Sequence, residues 1–404
     1  MKKKLQHILS VFVVIFATIP VANAAADYTF STPTKVWSQA VSTPTGAAPF
    51  NYNYISSAAT NGYIYTLPAI PSTGTDYMLA TYYTAGKRIN NGIVEQWSAG
   101  GPTDFEYTYL NQTTGPWYCY AGPAIASDDA GTLYAATVKG NNAPAGLIWS
   151  GNVGGITYWP TIPIPGQAST KKGVKLSSLI GGRTDLMSAN GDGVNGTGYL
   201  WFTPQNTTNV TRITITKGSF SAPQNFSGLP VTNGSRARVV EYAKGKLLYN
   251  PSIQNATGTL YRGTYTEGAS SVSWTSTGLT VYCSGSDAFE LKGHEFFIYA
   301  KSSTVLALYD YTNKKEVTTF SPFSGASTQS FVSFSIDTKV SGNTADIYIY
   351  APGQGGAKWT MTATPITSPV SNLTVANVSG STNSIIVSWA KPSAGNATKY
   401  AISY

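Results

Sequence analysis

The sequence has little of the chemistry on which metal centres and nucleophilic enzymes usually depend. Only two of its 404 residues are histidines and two are cysteines. A zinc site needs several His or Cys ligands, and a Ser-His-Asp triad would have to use His294, because His7 lies near the N-terminus. No G-x-S-x-G motif is present. We therefore assign no metal, no cofactor and no catalytic residue.

Long apolar runs are also scarce, and the one that exists lies at the N-terminus. Lys2, Lys3 and Lys4 precede an apolar stretch over 8–21, and small residues follow at Ala22 and Ala24. This order is typical of a secretory signal peptide, which we place at residues 1–24. The run is short for a membrane span, and no later segment approaches the required length. The sequence thus predicts a secreted protein, extracellular or at the cell surface, with no membrane span.

Charged residues are few, at 11% of the chain, and the formal net charge of +8 falls to +5 without the three lysines of the signal peptide. Nucleic-acid-binding proteins carry clusters of Lys and Arg that follow the phosphate backbone. No such cluster occurs in this sequence, so we do not expect a nucleic-acid partner.

Glycine and tyrosine are abundant, with 40 and 27 copies, and this composition favours strands and turns over helices. Six segments read as a short strand, a turn and a second strand that carries an aromatic residue. They cover 56–66, 126–137, 188–202, 240–250, 289–300 and 334–351, with Tyr65, Tyr134, Trp201, Tyr249, Tyr299 and Tyr350 as the aromatic residues. Multi-stranded units that repeat every 40–50 residues are typical of β-propellers. The sequence predicts an all-β, six-bladed β-propeller over 27–366, although five or seven blades stay open.

Further strands complete most of these units. Third strands are predicted at 146–150, 258–266 and 305–312, and fourth strands at 272–278 and 317–324. The last unit, which ends with the strand at 357–363, is one strand short. We predict that residues 35–41 supply this strand, because pairing would remove an open sheet edge.

Two adjacent carboxylates, Asp128 and Asp129, raise the question of an acid/base site. Gly131 follows them, and the same corner of other hairpins holds Asn61-Gly62 or Lys244-Gly245 without a carboxylate. Asp and Gly are residues that tight turns prefer. The pattern favours a hairpin corner over a catalytic pair.

Other polar residues give weaker indications of a site. The loop at 190–198, with Asn190, Asp192 and Asn195, is similar to a calcium-binding loop but lacks its ligand spacing and terminal Glu, so a hairpin loop is favoured. His294 is interpreted as an exposed turn residue. Several acidic residues lie near predicted loops or first strands, and glycosidases can work with carboxylates alone. These acids are Asp104, Glu106, Asp185, Glu241 and Asp287.

Two long insertions carry the aromatic residues that we select as candidate ligand contacts. The extra residues lie in 99–122 and 160–177, which we interpret as connections from a fourth strand to the next first strand. Long loops on a rigid scaffold often form binding sites, and aromatic rings can contact sugars or protein partners. The candidates are Tyr107, Tyr109, Trp117, Tyr118 and Trp159. Packing of Trp117, Tyr118 and Trp159 against the blades is the alternative.

Residues 367–404 differ in character from the rest of the chain. Leu373 and Val375, then Val387 and Trp389, then Tyr400 match the first three strands of a fibronectin type III domain, which the segment resembles. That domain has about seven strands, so we expect this copy to be incomplete. A propeller followed by such a module is similar to many secreted bacterial surface and carbohydrate-associated proteins.

The resulting functional hypothesis is a secreted recognition or adhesion protein without enzymatic activity. It would bind an extracellular glycan or a surface protein through loops on one propeller face, as a monomer. The alternative is a carbohydrate-active enzyme, a glycoside hydrolase or lyase, that uses Asp and Glu at the same face. Carboxylates clustered around the central channel would favour the enzyme, and an exposed aromatic platform would favour the binding protein.

The two cysteines, Cys119 and Cys283, lie in equivalent positions of the second and fifth predicted blades, on opposite sides of a six-bladed ring. A disulfide requires Cα atoms within about 7 Å of each other. This placement favours two unpaired thiols, while the even number of cysteines in a secreted protein favours a bridge.

Overall fold

The structure is a computed structural model in which the described residues form strands and turns, without a helix. It describes residues 28–40, 56–60, 62–66, 75–84, 87–98, 101–102, 117–118, 124–139, 152–160, 172–182, 184, 186–234, 236–252, 257–283, 285–323, 334–351, 355–366, 371–377 and 385–390. These ranges contain no helix long and apolar enough to cross a membrane. The chain divides into one unit of Thr32–Thr362 and a second of Met1–Ser31 with Ala363–Tyr404.

The larger unit consists of antiparallel sheets that follow one another along the chain. Strands β1 (Tyr28–Phe30) and β2 (Thr34–Ala40) precede them. The first sheet contains β3 (Ser57–Thr60), β4 (Tyr63–Thr66), β5 (Thr75–Thr84), β6 (Lys87–Ser98) and β7 (Gly101–Pro102). The second contains β8 (Trp117–Tyr118), β9 (Ile125–Ser127), β10 (Leu133–Lys139), β11 (Asn152–Trp159) and β12 (Lys172–Ile180). The third contains β13 (Met187–Gly191), β14 (Thr197–Phe202), β15 (Val210–Thr216), β16 (Ser219–Phe220) and β17 (Gln224–Phe226).

The remaining sheets of this unit repeat the same order. The fourth contains β18 (Arg238–Ala243), β19 (Lys246–Asn250), β20 (Thr257–Thr264) and β21 (Ser273–Tyr282). The fifth contains β22 (Ser286–Leu291), β23 (His294–Ala300), β24 (Leu306–Asp310) and β25 (Lys315–Phe320). The sixth contains β26 (Ser335–Ser341), β27 (Thr344–Ala351) and β28 (Gly355–Pro365), with β2 beside β28.

The six predicted hairpins are confirmed, one in each sheet. Their leading strands are called the first strands: β3, β9, β13, β18, β22 and β26. Each second strand also buries the aromatic residue that marks the repeat. The exposed fraction is between 0% and 4% for all of Tyr65, Tyr134, Trp201, Tyr249, Tyr299 and Tyr350. These rings contribute to hydrophobic clusters that hold neighbouring sheets together, as when Trp201 of the third sheet packs with Val239 and Leu247 of the fourth.

The predicted role of the N-terminal strand is also confirmed. Strand β2 pairs antiparallel with β28, with Lys35 opposite Trp359 and Gln39 opposite Gly356. It therefore supplies the strand that the last unit lacks. Trp37 of β2 also packs against a hydrophobic cluster that joins the first and sixth sheets through Ile64 and Tyr350.

The interpretation of the second sheet needs a correction. Its third strand is β11, not the segment 146–150, which lies outside the described residues. The fourth strand, β12, then occupies Lys172–Ile180. The 160–171 segment consequently joins a third strand to a fourth strand. The 99–122 segment follows β6 and precedes β9 in the sequence, and it contains β7 and β8.

The second unit contains two short pairings. Tyr28–Phe30 pairs with Ala363–Pro365, and β29 (Ser371–Asn377) pairs antiparallel with β30 (Ile385–Ala390). Strands β29 and β30 coincide with the first two strands expected for the fibronectin-like segment. The third, at 400–404, lies outside the described residues, and the fibronectin assignment stays a prediction.

Candidate binding cavity

A cavity of about 580 Å³, with both polar and apolar side chains in its wall, lies where the first strands of the six sheets meet. Each first strand contributes residues to its wall, including Ser57, Ser127, Ser188, Arg238, Asp287 and Asp337. First strands also contact one another in succession, and β26 of the sixth sheet contacts β3 of the first. The cavity is therefore surrounded by strands that are far apart in the sequence.

Hydrogen bonds between neighbouring first strands fix this wall. The Asp337 carboxylate accepts from the Ala59 amide at 2.6 Å and from the Ser127 hydroxyl at 3.1 Å. Its other oxygen lies 3.2 Å from Lys339 Nζ. Ser188 Oγ donates to the Val239 carbonyl oxygen at 2.6 Å. Asp337 thus connects the sixth sheet to the first and second, and its negative charge is balanced locally.

Arg238 is the buried cation of the wall, with 7% of its surface exposed. Its Nη1 donates to the carbonyl oxygens of Ser286 at 3.1 Å and Ile336 at 2.7 Å. Through these hydrogen bonds, the Arg238 side chain of the fourth sheet contacts the first strands of the fifth and sixth sheets. Arg238 Nε has no hydrogen-bond partner among the described residues.

The cavity wall also holds a buried carboxylate, Asp287 on β22, at 2% exposure. Burial raises the pKa of Asp287 to about 6, and the Asp337 carboxylate adds to the shift, although the charge of Arg238 opposes it. Oδ1 of Asp287 has no hydrogen-bond partner within the described part of the chain. Asp287 is therefore a desolvated acid with unused hydrogen-bonding capacity.

Other acids at the wall serve the scaffold. Glu241 accepts hydrogen bonds from Trp201 Nε1 at 2.9 Å, the Tyr265 hydroxyl at 2.7 Å and the Gly245 amide at 3.0 Å. Glu290 pairs with Lys246. Of the acids named from the sequence, the structure brings Glu241 and Asp287 to the cavity, whereas Asp104, Glu106 and Asp185 lie outside the described residues.

The adjacent acids Asp128 and Asp129 form a hairpin corner, as predicted. Asp128, with 1% exposed, accepts from the Thr132 amide at 2.8 Å, the Tyr134 hydroxyl at 2.9 Å and the Gly193 amide at 3.1 Å. Burial raises its pKa. Gly131 completes the turn with a φ of 91°, which glycine adopts without strain. Since Asp128 holds its own turn and that of the third sheet, its role is structural.

The aromatic residues selected from the sequence do not assemble into a described site. Trp159 is buried, at 1% exposure, in a cluster with Ala58 of the first sheet and Leu133. Its packing between two sheets matches the alternative in which the ring contacts the blades. Trp117 and Tyr118 form β8 beside β10. Tyr107 and Tyr109 lie outside the described residues.

The remaining sequence candidates have local roles. The segment 192–196 is the hairpin loop between β13 and β14, in which Asp192 accepts from the Asn195 amide at 2.8 Å. His294 begins β23, and its side chain is 28% exposed, so it is a half-buried strand residue and not an exposed turn residue. Its Nδ1 lies 3.3 Å from an oxygen of Asp310. Cys283 is a buried free cysteine, whereas Cys119 lies outside the described ranges.

Comparison with known proteins gives no family for this chain. The sequence matches no family of known proteins and no curated protein. A DUF4623 family protein from Bacteroides eggerthii superposes on 86% of this chain and 77% of its own, with 11% identity and a TM-score of 0.46. BBS1N, solved in complex with ARL6DN, superposes on 85% of this chain and 99% of its own, with 12% identity and a TM-score of 0.36. At TM-scores below 0.5, neither similarity bears on function.

Sequence reasoning missed Arg238, Asp337 and Lys339 as cavity residues. A usable signal exists for Asp337 and Lys339, which lie within the predicted hairpin segment 334–351, whereas Arg238 lies two residues before the predicted segment 240–250. Charged residues in buried strands are uncommon unless they are paired or functional.

Proposed function

We propose that the larger unit is a closed six-bladed β-propeller. Three observations support this proposal: the six consecutive antiparallel sheets, the contact between the first strands of the first and sixth sheets, and the pairing of β2 with β28. A strand from the N-terminus in the last sheet is a common way to remove the open edges of a propeller.

We further propose that the chain is a secreted recognition or adhesion protein that binds an extracellular glycan or a surface protein in the central cavity. The observation that carries this proposal is the cavity of about 580 Å³ with polar and apolar side chains in its wall, a volume within the usual range of about 300–1,000 Å³ for ligand sites. We therefore propose the cavity between the first strands as the ligand site, in place of the aromatic loops that the sequence suggested.

Blocking the mouth of the cavity tests this proposal. Val340 lines the cavity and is 45% exposed, so Val340→Trp adds bulk there without disturbing the core. Val231→Trp is the matched control, because Val231 is also exposed, at 38%, but is not part of the wall. We expect binding on a glycan and peptide array to be lost only in Val340→Trp. Equal binding by both variants would contradict the proposal.

A second candidate function, glycoside hydrolysis, is favoured by one pair of residues. Asp287, whose pKa is raised by burial, and Asp337, which pairs with Lys339, both line the cavity, and hydrolysis of a glycosidic bond uses two carboxyl groups. A panel of polysaccharides tests this candidate. Product release that Asp287→Asn and Asp337→Asn each abolish would support the enzyme, and no release by the unchanged chain would reject it.

A further inference from the structure

Three residues of the cavity wall carry buried polar atoms without a partner. They are Asn190 Oδ1 on β13, Arg238 Nε on β18 and Asp287 Oδ1 on β22, and none of these atoms has a hydrogen bond within the described residues. Native proteins leave few buried polar atoms unpaired. Three such atoms belong to residues that line one cavity, on the first strands of successive sheets, so a small rotation of these side chains would present unpaired hydrogen-bonding groups to a ligand in the cavity.

The chemistry of these atoms restricts the group that can satisfy them. Asp287 Oδ1 accepts hydrogen bonds, whereas Arg238 Nε donates one. An ammonium group can only donate, so it would leave Arg238 unsatisfied. A carboxylate group can only accept, and the Asp287 charge would repel a carboxylate or a phosphate. A hydroxyl group can donate to Asp287 and accept from Arg238, and it can serve the Asn190 amide in either orientation.

The charges around the cavity lead to the same class of ligand. Lys339 pairs with Asp337 at 3.2 Å, and Glu290 pairs with Lys246 at 2.5 Å. Arg238 lies close enough to Asp287 for its charge to oppose the shift in the Asp287 pKa. Five acidic and three basic side chains line the cavity, so the wall disfavours an anion, and the pairing of Asp337 and Glu290 with lysines leaves only a small negative excess for a cation.

From this geometry we infer that the cavity binds a neutral, polyhydroxylated ligand, a saccharide, through Asn190, Arg238 and Asp287. This inference rests on the proposed recognition function and names its ligand class. It assigns the specificity to three side chains that come from different sheets.

Isothermal titration calorimetry of the whole chain tests the inference. The probes are neutral tetrasaccharides of glucose, mannose, xylose and N-acetylglucosamine, with butylammonium and inorganic phosphate as charged comparisons. We expect at least one saccharide to bind and neither ion to do so. Asp287→Asn should weaken saccharide binding by about tenfold to a hundredfold, because a charge-assisted hydrogen bond is lost. Asn190→Ala should weaken it as well, and this second variant carries the test if Asp287→Asn does not fold.

Ser252→Ala is the matched control. Ser252 Oγ is also buried without a partner among the described residues, but Ser252 does not line the cavity. Its substitution should leave saccharide affinity within twofold of the unchanged chain. Saccharide binding that neither Asp287→Asn nor Asn190→Ala weakens would overturn the inference.

Binding of phosphate or butylammonium without any saccharide would overturn the inference too, but it would leave the cavity as a recognition site. No binding of any saccharide would likewise overturn it. The proposed function fails separately, when Val340→Trp leaves binding of an array ligand intact.

Discussion

Asp128 and Asp287 are both almost fully buried carboxylates with raised pKa values, yet they differ in what surrounds them. Asp128 accepts hydrogen bonds from the Thr132 amide, the Tyr134 hydroxyl and the Gly193 amide. Asp287 has an oxygen without a partner among the described residues and lies on the cavity wall. Burial and a raised pKa therefore do not separate a structural acid from a functional one. The two acids differ instead in the partners of their carboxylate oxygens, and on that difference we propose a ligand-binding role for Asp287.

The largest effect is expected for Asp128→Ala. This substitution leaves three donors in a buried hairpin corner unpaired, and we expect the free energy of unfolding to fall by about 3–5 kcal/mol. Asp129→Ala is the control, because Asp129 is exposed and accepts a single hydrogen bond, from the Gly191 amide. Urea denaturation of both variants measures the difference. A loss below about 1 kcal/mol for Asp128→Ala would remove the contrast with Asp287.

Asp287→Asn should change how stability depends on pH. A carboxyl group whose pKa is raised to about 6 on folding is easier to bury when protonated, so the unchanged chain loses stability as the pH rises from about 4 to 6. A shift of about two pH units corresponds to about 3 kcal/mol. Asp287→Asn has no carboxyl group to ionise and does not lose this stability. Its free energy of unfolding, relative to that of the unchanged chain, should therefore rise by about 3 kcal/mol between pH 4 and pH 7. Parallel pH profiles in urea denaturation would show that Asp287 is not desolvated.

The contribution of Glu295 to stability should depend on pH in the opposite direction. Burial would raise its pKa, but hydrogen bonds from Arg262, Lys246 and Tyr242 outweigh burial and lower the pKa to about 2. Its stabilising effect is therefore complete above about pH 4.5 and is lost as the pH falls towards 2. Glu295→Gln should remove about 2 kcal/mol of stability at pH 7 and less at pH 3. An equal loss at both pH values in urea denaturation would contradict this.

The smallest effect is expected for Ser252→Ala. A buried hydroxyl without a partner contributes no hydrogen bond, so its removal should change the free energy of unfolding by less than about 1 kcal/mol. Calorimetric unfolding measures this change. A larger loss would mean that unpartnered atoms of this structure are paired in solution, which would weaken the case for Asp287.

The repeated hairpins could be predicted because their signals are local. A turn such as the one that ends in Gly131, followed by a strand with a large ring such as Tyr134, has the same pattern in every sheet. The third strand β11 was missed because its sequence, NVGGITYW, contains two adjacent glycines, which are unfavourable in strands. A neighbouring apolar segment gave the stronger signal.

The cavity could not be predicted in the same way. Arg238, Asp287 and Asp337 are separated by 49 and 50 residues, and they meet only after three sheets have packed together. Trp159 shows the converse limit, because an aromatic residue next to a long loop can be a core residue. Sequence alone does not distinguish a core position from a loop position for such a ring, since both place a large apolar side chain beside polar neighbours.

A crystal structure of the chain with a bound neutral tetrasaccharide would decide whether the central cavity is the ligand site. We predict that one saccharide hydroxyl lies within hydrogen-bonding distance of both Asp287 Oδ1 and Arg238 Nε, with a second near Asn190. A saccharide bound instead beside β8, at Trp117 and Tyr118, would contradict the assignment of the cavity and restore the aromatic loop as the site.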